Sequence, residues 1–282
     1  MMDFRTEVEV PDLGMTIGHK DRLAMLGSCF SDNIGERLVD GGFDCEVNPF
    51  GVLYNPESII MALKGRNDEF EQWVQKRPDD DARRRMDDAD VVFVTFGTAW
   101  VYRLKETGKT VANCKKQPEN LFVRQRLTVD EIVDGWNRFI DDDNSKRKFV
   151  FTVSPIRHKR DGMHDNQLSK STLLLAVDAI CKSHPDRCFY FPAYELVMDE
   201  LRDYRFYADD MVHPSALAVE FVWEKLCGAM MDKETRRLTA EFARLNRVLR
   251  HRPFDAESED YKQLIEQTRK KIKELKYAVQ DK

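Results

Sequence analysis

The chain has 282 residues, enough for one large α/β domain or two small ones. Hydrophobic residues make up 42% of it, which supports a substantial core and excludes global disorder. Lys and Arg (45) nearly balance Asp and Glu (50), and the resulting −5 argues against a general nucleic-acid or membrane-surface binder.

The beginning, MMDFRTEVEVPDLG, carries no apolar segment behind a basic one, and apolar runs such as residues 91–94 are only strand-length. A cytoplasmic protein with neither nucleic-acid nor membrane partners is expected. Six cysteines at 29, 45, 114, 181, 188 and 227 form no CxxC pair, so free thiols are expected, with no metal site and no cofactor.

In chain order, residues 4–10 read as a short strand stopped by Pro11, and residues 22–27 as the first buried strand. A helix follows, N-capped by Ser31 or Asp32 and stopped at Gly41-Gly42. Residues 43–50 read as a second strand, and Pro56 opens a helix that ends near Gly65. The charge-dense stretch 66–90 reads as a surface loop or short helices, its Asp run a solvated feature rather than a metal or phosphate site. Val91–Phe96 is the cleanest buried strand, followed by a hairpin excursion over 102–123 around Thr107-Gly108. Thr128-x-x-Glu131 is a capping box opening a helix to about Asp141. Strand Lys148–Val153 leads to a helix over 166–183, with Leu168, Leu173, Leu174, Val177 and Ile180 at helical spacing. A short strand at 188–191, a helix at 195–203 and a turn at 209–215 precede the last core helix, 215–230. This alternation predicts βαβ units: a parallel sheet with helices on both faces. Residues 1–234 form that domain in this reading, and 235–282 form a C-terminal extension of two charged helices broken at Pro253, offering a surface for a partner.

The chemistry concentrates in two places. Gly27-Ser28 ends the first strand, so a hydroxyl stands at the strand's carboxyl end, where open parallel sheets bind ligands. Asp210-x-x-His213 precedes the last core helix. A serine hydroxyl needs a histidine to take its proton, and that imidazole needs an orienting acceptor; Ser28, His213 and Asp210 are the three groups. Cys29 is the alternative nucleophile, because thiols need less activation. Adjacent turn residues point in different directions, so only one of the pair can face His213. His213 as a merely packed or capping residue, and Cys29 as a thiol packed beneath the turn, are the plainer readings. Arg157 and His158 follow a strand end on the same sheet edge; Arg157 suits either an anionic substrate group or loop support. Trp100 and Tyr102 suit stacking on a sugar ring or rim packing.

GSCFS at 27–31, NPFGVLYNPESI at 48–59, FGTAWVY at 96–102, ANCKK at 112–116, SPIRHKRDG at 154–162 and DDMVHPSALAVEFVWE at 209–224 together resemble the GSCFA family over roughly residues 4–230. The resemblance implies membership of the SGNH/GDSL-like hydrolase group, with a three-layer flavodoxin-like fold. It places Ser28 at the nucleophile position in preference to Cys29, and Asp210 and His213 in the final DxxH block. It makes the N–H groups of Ser28 and Gly51 oxyanion donors, each worth about 3–4 kcal/mol in such sites. The group's third block normally carries an Asn where this chain has Ala99; Thr98, Asn55 and Asn113 are the candidate replacements, and the sequence does not choose among them. Lys115 stands where many members have His. The implied activity is a serine esterase or acyl-transfer enzyme acting on small O-acyl esters, with carbohydrate esters the substrates the group suggests and Arg157 and Trp100 binding them. The competing reading is a non-catalytic or very slow protein of the same fold that binds a carbohydrate or protein partner.

Overall fold

The computed structural model describes residues 5–251 and 258–280. Strand β1 (Arg22–Gly27) runs into helix α1 (Cys29–Asp40), then β2 (Asp44–Val47), α2 (Pro56–Leu63), and the short helices α3 (Asp68–Glu71) and α4 (Asp80–Asp87). Next come β3 (Val91–Phe96), β4 (Trp100–Leu104), β5 (Thr110–Val111), β6 (Phe122–Arg126), α5 (Val129–Asp142) and β7 (Lys148–Val153). They are followed by α6 (Met163–Ser183), β8 (Cys188–Tyr190) and α7 (Ala193–Glu195), which widens into a π turn over Leu196–Glu200. Helices α8 (Ala216–Met230), α9 (Lys233–Arg250) and α10 (Glu259–Gln280) complete the described chain.

Five strands form one sheet in the order β2-β1-β3-β7-β8, with every neighbouring pair parallel. Its strands are buried on both sides, which explains why β3 reads as the unbroken apolar run VVFVTF rather than an alternation. On one face, Leu26, Val94, Phe96 and Phe151 pack with Trp136 and Phe139 of α5 and Leu173 and Ile180 of α6. On the other, Leu23, Met25, Phe93 and Val150 pack with Ile34 and Leu38 of α1 and Val219, Val222 and Leu226 of α8. Trp136 is fully buried, edge-on to Phe96, Phe139 and Phe151 at centroid distances of 5.5, 5.6 and 4.9 Å. The excursion after β3 is a separate antiparallel sheet, β5-β4-β6, and the capping box at Thr128 is present.

Several local expectations give way to tertiary contacts. Residues 5–10 form no strand: the Val8 amide donates to the Glu200 carboxylate rather than to a neighbouring strand. Phe4 and Pro253 lie outside the described residues. The second strand stops at Val47, because Asn48 turns into the left-handed region (φ 41°) and donates its amide to Met25 O. The first helix begins three or four residues early, capped by Ser28 rather than Ser31 or Asp32. The C-terminal helices pack back on the main body: Phe242 of α9 lies against Gly42, Asn246 donates to Asp40 O, and Lys271 of α10 pairs with Glu241 at 2.9 Å.

Candidate active site

The sheet reverses its winding between β1 and β3, and the site is built on the carboxyl ends of these two strands. At the end of β1, Gly27 has φ +143° and passes so close to β3 that a Cβ would stand 2.2 Å from Thr95 O. Only glycine fits this approach. The Gly27 amide donates to Asn48 Oδ1 (2.9 Å), whose Nδ2 in turn donates to Asp32 Oδ1 (2.7 Å), tying the ends of β1 and β2 to α1.

The turn then separates Ser28 from Cys29. Ser28 is buried, its amide donating to Thr95 O (3.2 Å). Its Oγ accepts from Phe30 N (3.3 Å) as the N-cap of α1 and donates to Ser154 Oγ at the end of β7 (3.0 Å). These are capping and cross-strand roles, and no hydrogen bond joins Ser28 to His213 among the described residues. Cys29, the first residue of α1, stands half-exposed with Sγ 3.5 Å from His213 Nε2. His213 Nδ1 lies 2.6 Å from Asp210 Oδ2. The structure thus brings His213 and Asp210 together as the sequence suggests, and sets Cys29, not Ser28, in front of them.

The histidine loop is held from several sides. Asp210 Oδ1 accepts the amides of Val212 and His213 (2.9 Å each), and these bonds, with that to the imidazole, hold its carboxyl down to about 2. Ala208 N donates to His213 O, Arg157 N to Val212 O, and Ser215 caps α8 immediately afterwards. With Asp210 accepting at Nδ1, the neutral ring carries its proton there and presents the Nε2 lone pair to the thiol. Burial pushes the Cys29 thiol above its ordinary value, and the charges of Asp32 and Asp210 add to this, while its own N–H and Lys170 oppose them. Cys29 therefore rests as a thiol whose proton a base must remove.

The suggested oxyanion donors fare differently. Gly51 (φ +74°) gives its amide to Asn48 O (2.8 Å) in a turn packed on Gln75, and the Ser28 amide is spent on Thr95 O. Thr98 gives its amide to Tyr54 O (2.9 Å), while its hydroxyl lies 3.1 Å from Ser169 Oγ and accepts from Trp100 N. Asn113 Oδ1 accepts from Lys115 N. Asn55 Oδ1 caps α2 by accepting from Ser58 N (2.9 Å), which leaves its NH2 unpartnered among the described residues. As the first helical residue, Cys29 also has an N–H with no carbonyl to meet inside the helix.

Cys29, His213, Asn55, Thr98 and Asn113 all line one cavity of about 630 Å³ between the main sheet edge and the β5-β4-β6 sheet. Trp100 and Arg157 line it too. The Arg124 guanidinium lies 4.1 Å from the centre of the Trp100 ring and pairs with Asp161; that of Arg157 sits over Tyr207 (5.1 Å) and Tyr204 (5.7 Å). Ala99, where the resemblance leads to the expectation of an Asn, is fully buried and anchored by its amide to Ser169 Oγ (2.8 Å).

Beneath the cavity lies a residue that the motifs did not single out. Lys170 of α6 is fully buried, donating to Gly97 O (2.6 Å) and Ser154 O (2.7 Å) with no carboxylate in ion-pair contact among the described residues. Burial pulls its ammonium down to about 7. His158 Nε2 donates to the same Gly97 carbonyl (3.1 Å); burial, reinforced by the Lys170 charge, brings its imidazole down to about 4, so it is neutral at pH 7. The available signal was a lysine three residues before Leu173 and seven before Val177, on the buried stripe of α6.

These elements define an α/β protein in which Cys29, His213 and Asp210 lie in contact at the carboxyl edge of a parallel sheet. The model of the GSCFA family matches residues 22–77 and 66–226, and that of the GSCFA domain protein C-terminal domain matches residues 242–281. The chain belongs to the GSCFA family. No curated protein matches it. Among solved structures it is similar to an acetyl xylan esterase from the rumen bacterium Butyrivibrio proteoclasticus, with 10% identity and a TM-score of 0.39, over 76% of this chain and 65% of that one. Among the described residues no helix is long and apolar enough to cross a membrane, and no group of three or more His, Cys, Asp or Glu is placed to hold a metal ion.

Proposed function

We propose that this chain is an acyl hydrolase or acyl-transfer enzyme that uses the thiol of Cys29, rather than the hydroxyl of Ser28, on small acyl esters, among them O-acyl groups on carbohydrate. The observation that carries the reading is the 3.5 Å contact of Cys29 Sγ with His213 Nε2, with Asp210 on the far ring nitrogen. Sγ attacks the acyl carbonyl carbon as His213 Nε2 takes the thiol proton. The new C–S bond forms, the bond to the leaving oxygen or sulfur breaks, and His213 hands the proton to the leaving group. Water then attacks the thioester, giving one proton to His213, which returns it to Sγ as the acid departs. Asp210 orients the imidazole and balances its charge while it is protonated. The Cys29 N–H and the Asn55 NH2 are the donors assigned to the oxyanion; Gly51, with its amide spent, is not among them. Trp100 and Arg157 are assigned to the substrate.

The SGNH-type assignment is kept in this reading, supported by the strand order. Counting only the five strands of the main sheet, that order is 2-1-3-4-5, the flavodoxin-like arrangement, with the cavity at its switch point. The division into residues 1–234 and 235–282, the cytoplasmic setting and a partner surface on α9 and α10 stand as part of the same proposal.

A panel of short acyl esters and thioesters, with iodoacetamide labelling of the thiols, tests it. The expected result is turnover and labelling of the site that vanish in Cys29→Ala and persist in Ser28→Ala. Turnover that survives Cys29→Ala overturns the thiol assignment, and no turnover of any ester or thioester points to the non-catalytic binder.

A further inference from the structure

The chain is acidic overall, yet the cavity before Cys29 collects positive charge. Its walls carry Arg124, Arg157, Lys159 and Arg160 against one carboxylate, Asp161, which is occupied by Arg124. We propose that Arg157, Lys159 and Arg160 form a subsite for an anionic group, a phosphate or carboxylate, on the leaving-group side of the acyl substrate. The inference rests on the acyl-transfer reading and names its substrate class.

Three observations support it. First, these cations are uncompensated and share one cavity wall. Several arginines elsewhere are matched to carboxylates, as in Arg83 with Glu71, Arg103 with Glu57 and Arg187 with Asp143. Arg157, Lys159 and Arg160 have no carboxylate within ion-pair distance among the described residues, and Arg157 is held instead by the rings of Tyr204 and Tyr207 and the sulfur of Met163. Like charges gathered at a cleft repel one another, and an entering anion relieves that repulsion while being drawn to the site. Second, the backbone that carries the cations is tied to the reacting centre: the Arg157 amide donates to Val212 O, one residue before His213. Third, the charges at the thiol differ in sign from those on the cavity wall: Asp32 of α1 and Asp210 behind the His213 ring stand on the thiol's side, outside the cavity lining. The ionised groups acting on Cys29 are Asp32, Asp210 and Lys170, and the two carboxylates disfavour a charged acyl chain there. The negative group therefore belongs at the other end of the scissile bond. A cavity of about 630 Å³ suits a ligand of small-molecule size, and a net charge of −5 disfavours an extended polyanion.

The test holds the acetyl group constant and varies the leaving thiol. S-acetylpantetheine is compared with its 4′-phosphate, and the methyl ester of S-acetylthioglycolate with the free acid; the two pairs separate a phosphate from a carboxylate preference. At least one anionic member is expected to have a kcat/KM about tenfold above its neutral twin. That ratio should shrink between about 0.02 M and about 0.5 M NaCl, and approach one in the triple variant Arg157→Gln, Lys159→Gln, Arg160→Gln. Equal values within both pairs, or a ratio untouched by the triple variant, overturn the subsite. If no thioester is turned over, the acyl-transfer reading fails separately. Calorimetric titration of S-methylpantetheine 4′-phosphate against S-methylpantetheine then reads the subsite: tighter binding of the phosphate supports it, and equal binding overturns it.

Discussion

Two neighbouring layers of the same sheet edge use similar residues in opposite ways. In the lower layer, Ser28, Ser154 and Lys170 are buried, and each spends its polar groups on the ends of β1, β3 and β7. In the upper layer, Cys29 and His213 line the cavity 3.5 Å apart, with Asp210 behind the imidazole. Ser28 and Cys29 are adjacent in sequence, but one is the N-cap and the other the first helical residue, so their side chains diverge. A hydroxyl engaged both as cap and as cross-strand donor is poorly free to attack, while the residue after it inherits the helix N-terminus and the cavity-lining position.

Substitutions in the two layers should have different effects. Cys29→Ala should remove acyl turnover by at least about 10³-fold with little change in folding, measured by ester kinetics and thermal unfolding. His213→Ala should cost about 10²–10⁴-fold in kcat, the range of a lost general base, while the remaining thiol is still alkylated at high pH. Ser28→Ala should act mainly on stability, by about 1–2 kcal/mol in urea unfolding, from the lost cap and the bond to Ser154; a loss of activity matching that of Cys29→Ala would restore Ser28 as nucleophile. Lys170→Met should change the pH dependence of stability. Burial holds the lysine at about 7, below its ordinary 10.5, so between these values the unfolded chain keeps a proton that the folded chain has released. Stability then rises with pH across that window and the variant flattens the rise, as denaturant unfolding at a series of pH values would show.

Much of the scaffold was legible because its signals are local. β3 and β7 are continuous apolar runs, Thr128 and Glu131 form a capping box within one turn, and Asp210-x-x-His213 closes on itself within four residues. The nucleophile was not legible in that way. The start of α1 depends on the Ser28 cap and on Ser154, 126 residues away, and a shift of the helix start exchanges the residue that faces His213. Gly51 is a related case: its amide donates to Asn48 O in a turn whose backbone is left-handed at Asn48, a partner the local sequence does not reveal. Lys170 carries no local motif, and only the packing of α6 places its ammonium against the carbonyls of Gly97 and Ser154.

The alternation of strands and helices, the parallel sheet it implies, and an imidazole with its own carboxylate ahead of the last core helix are all encoded locally along the chain. These follow from periodicity and short-range hydrogen bonding, which need no distant partner. Only the tertiary structure decided that the thiol and not the hydroxyl meets that imidazole, and that an ammonium is sealed beneath them. Both depend on strand ends far apart in the chain converging at one sheet edge, where a buried polar group must take whatever partner the packing supplies.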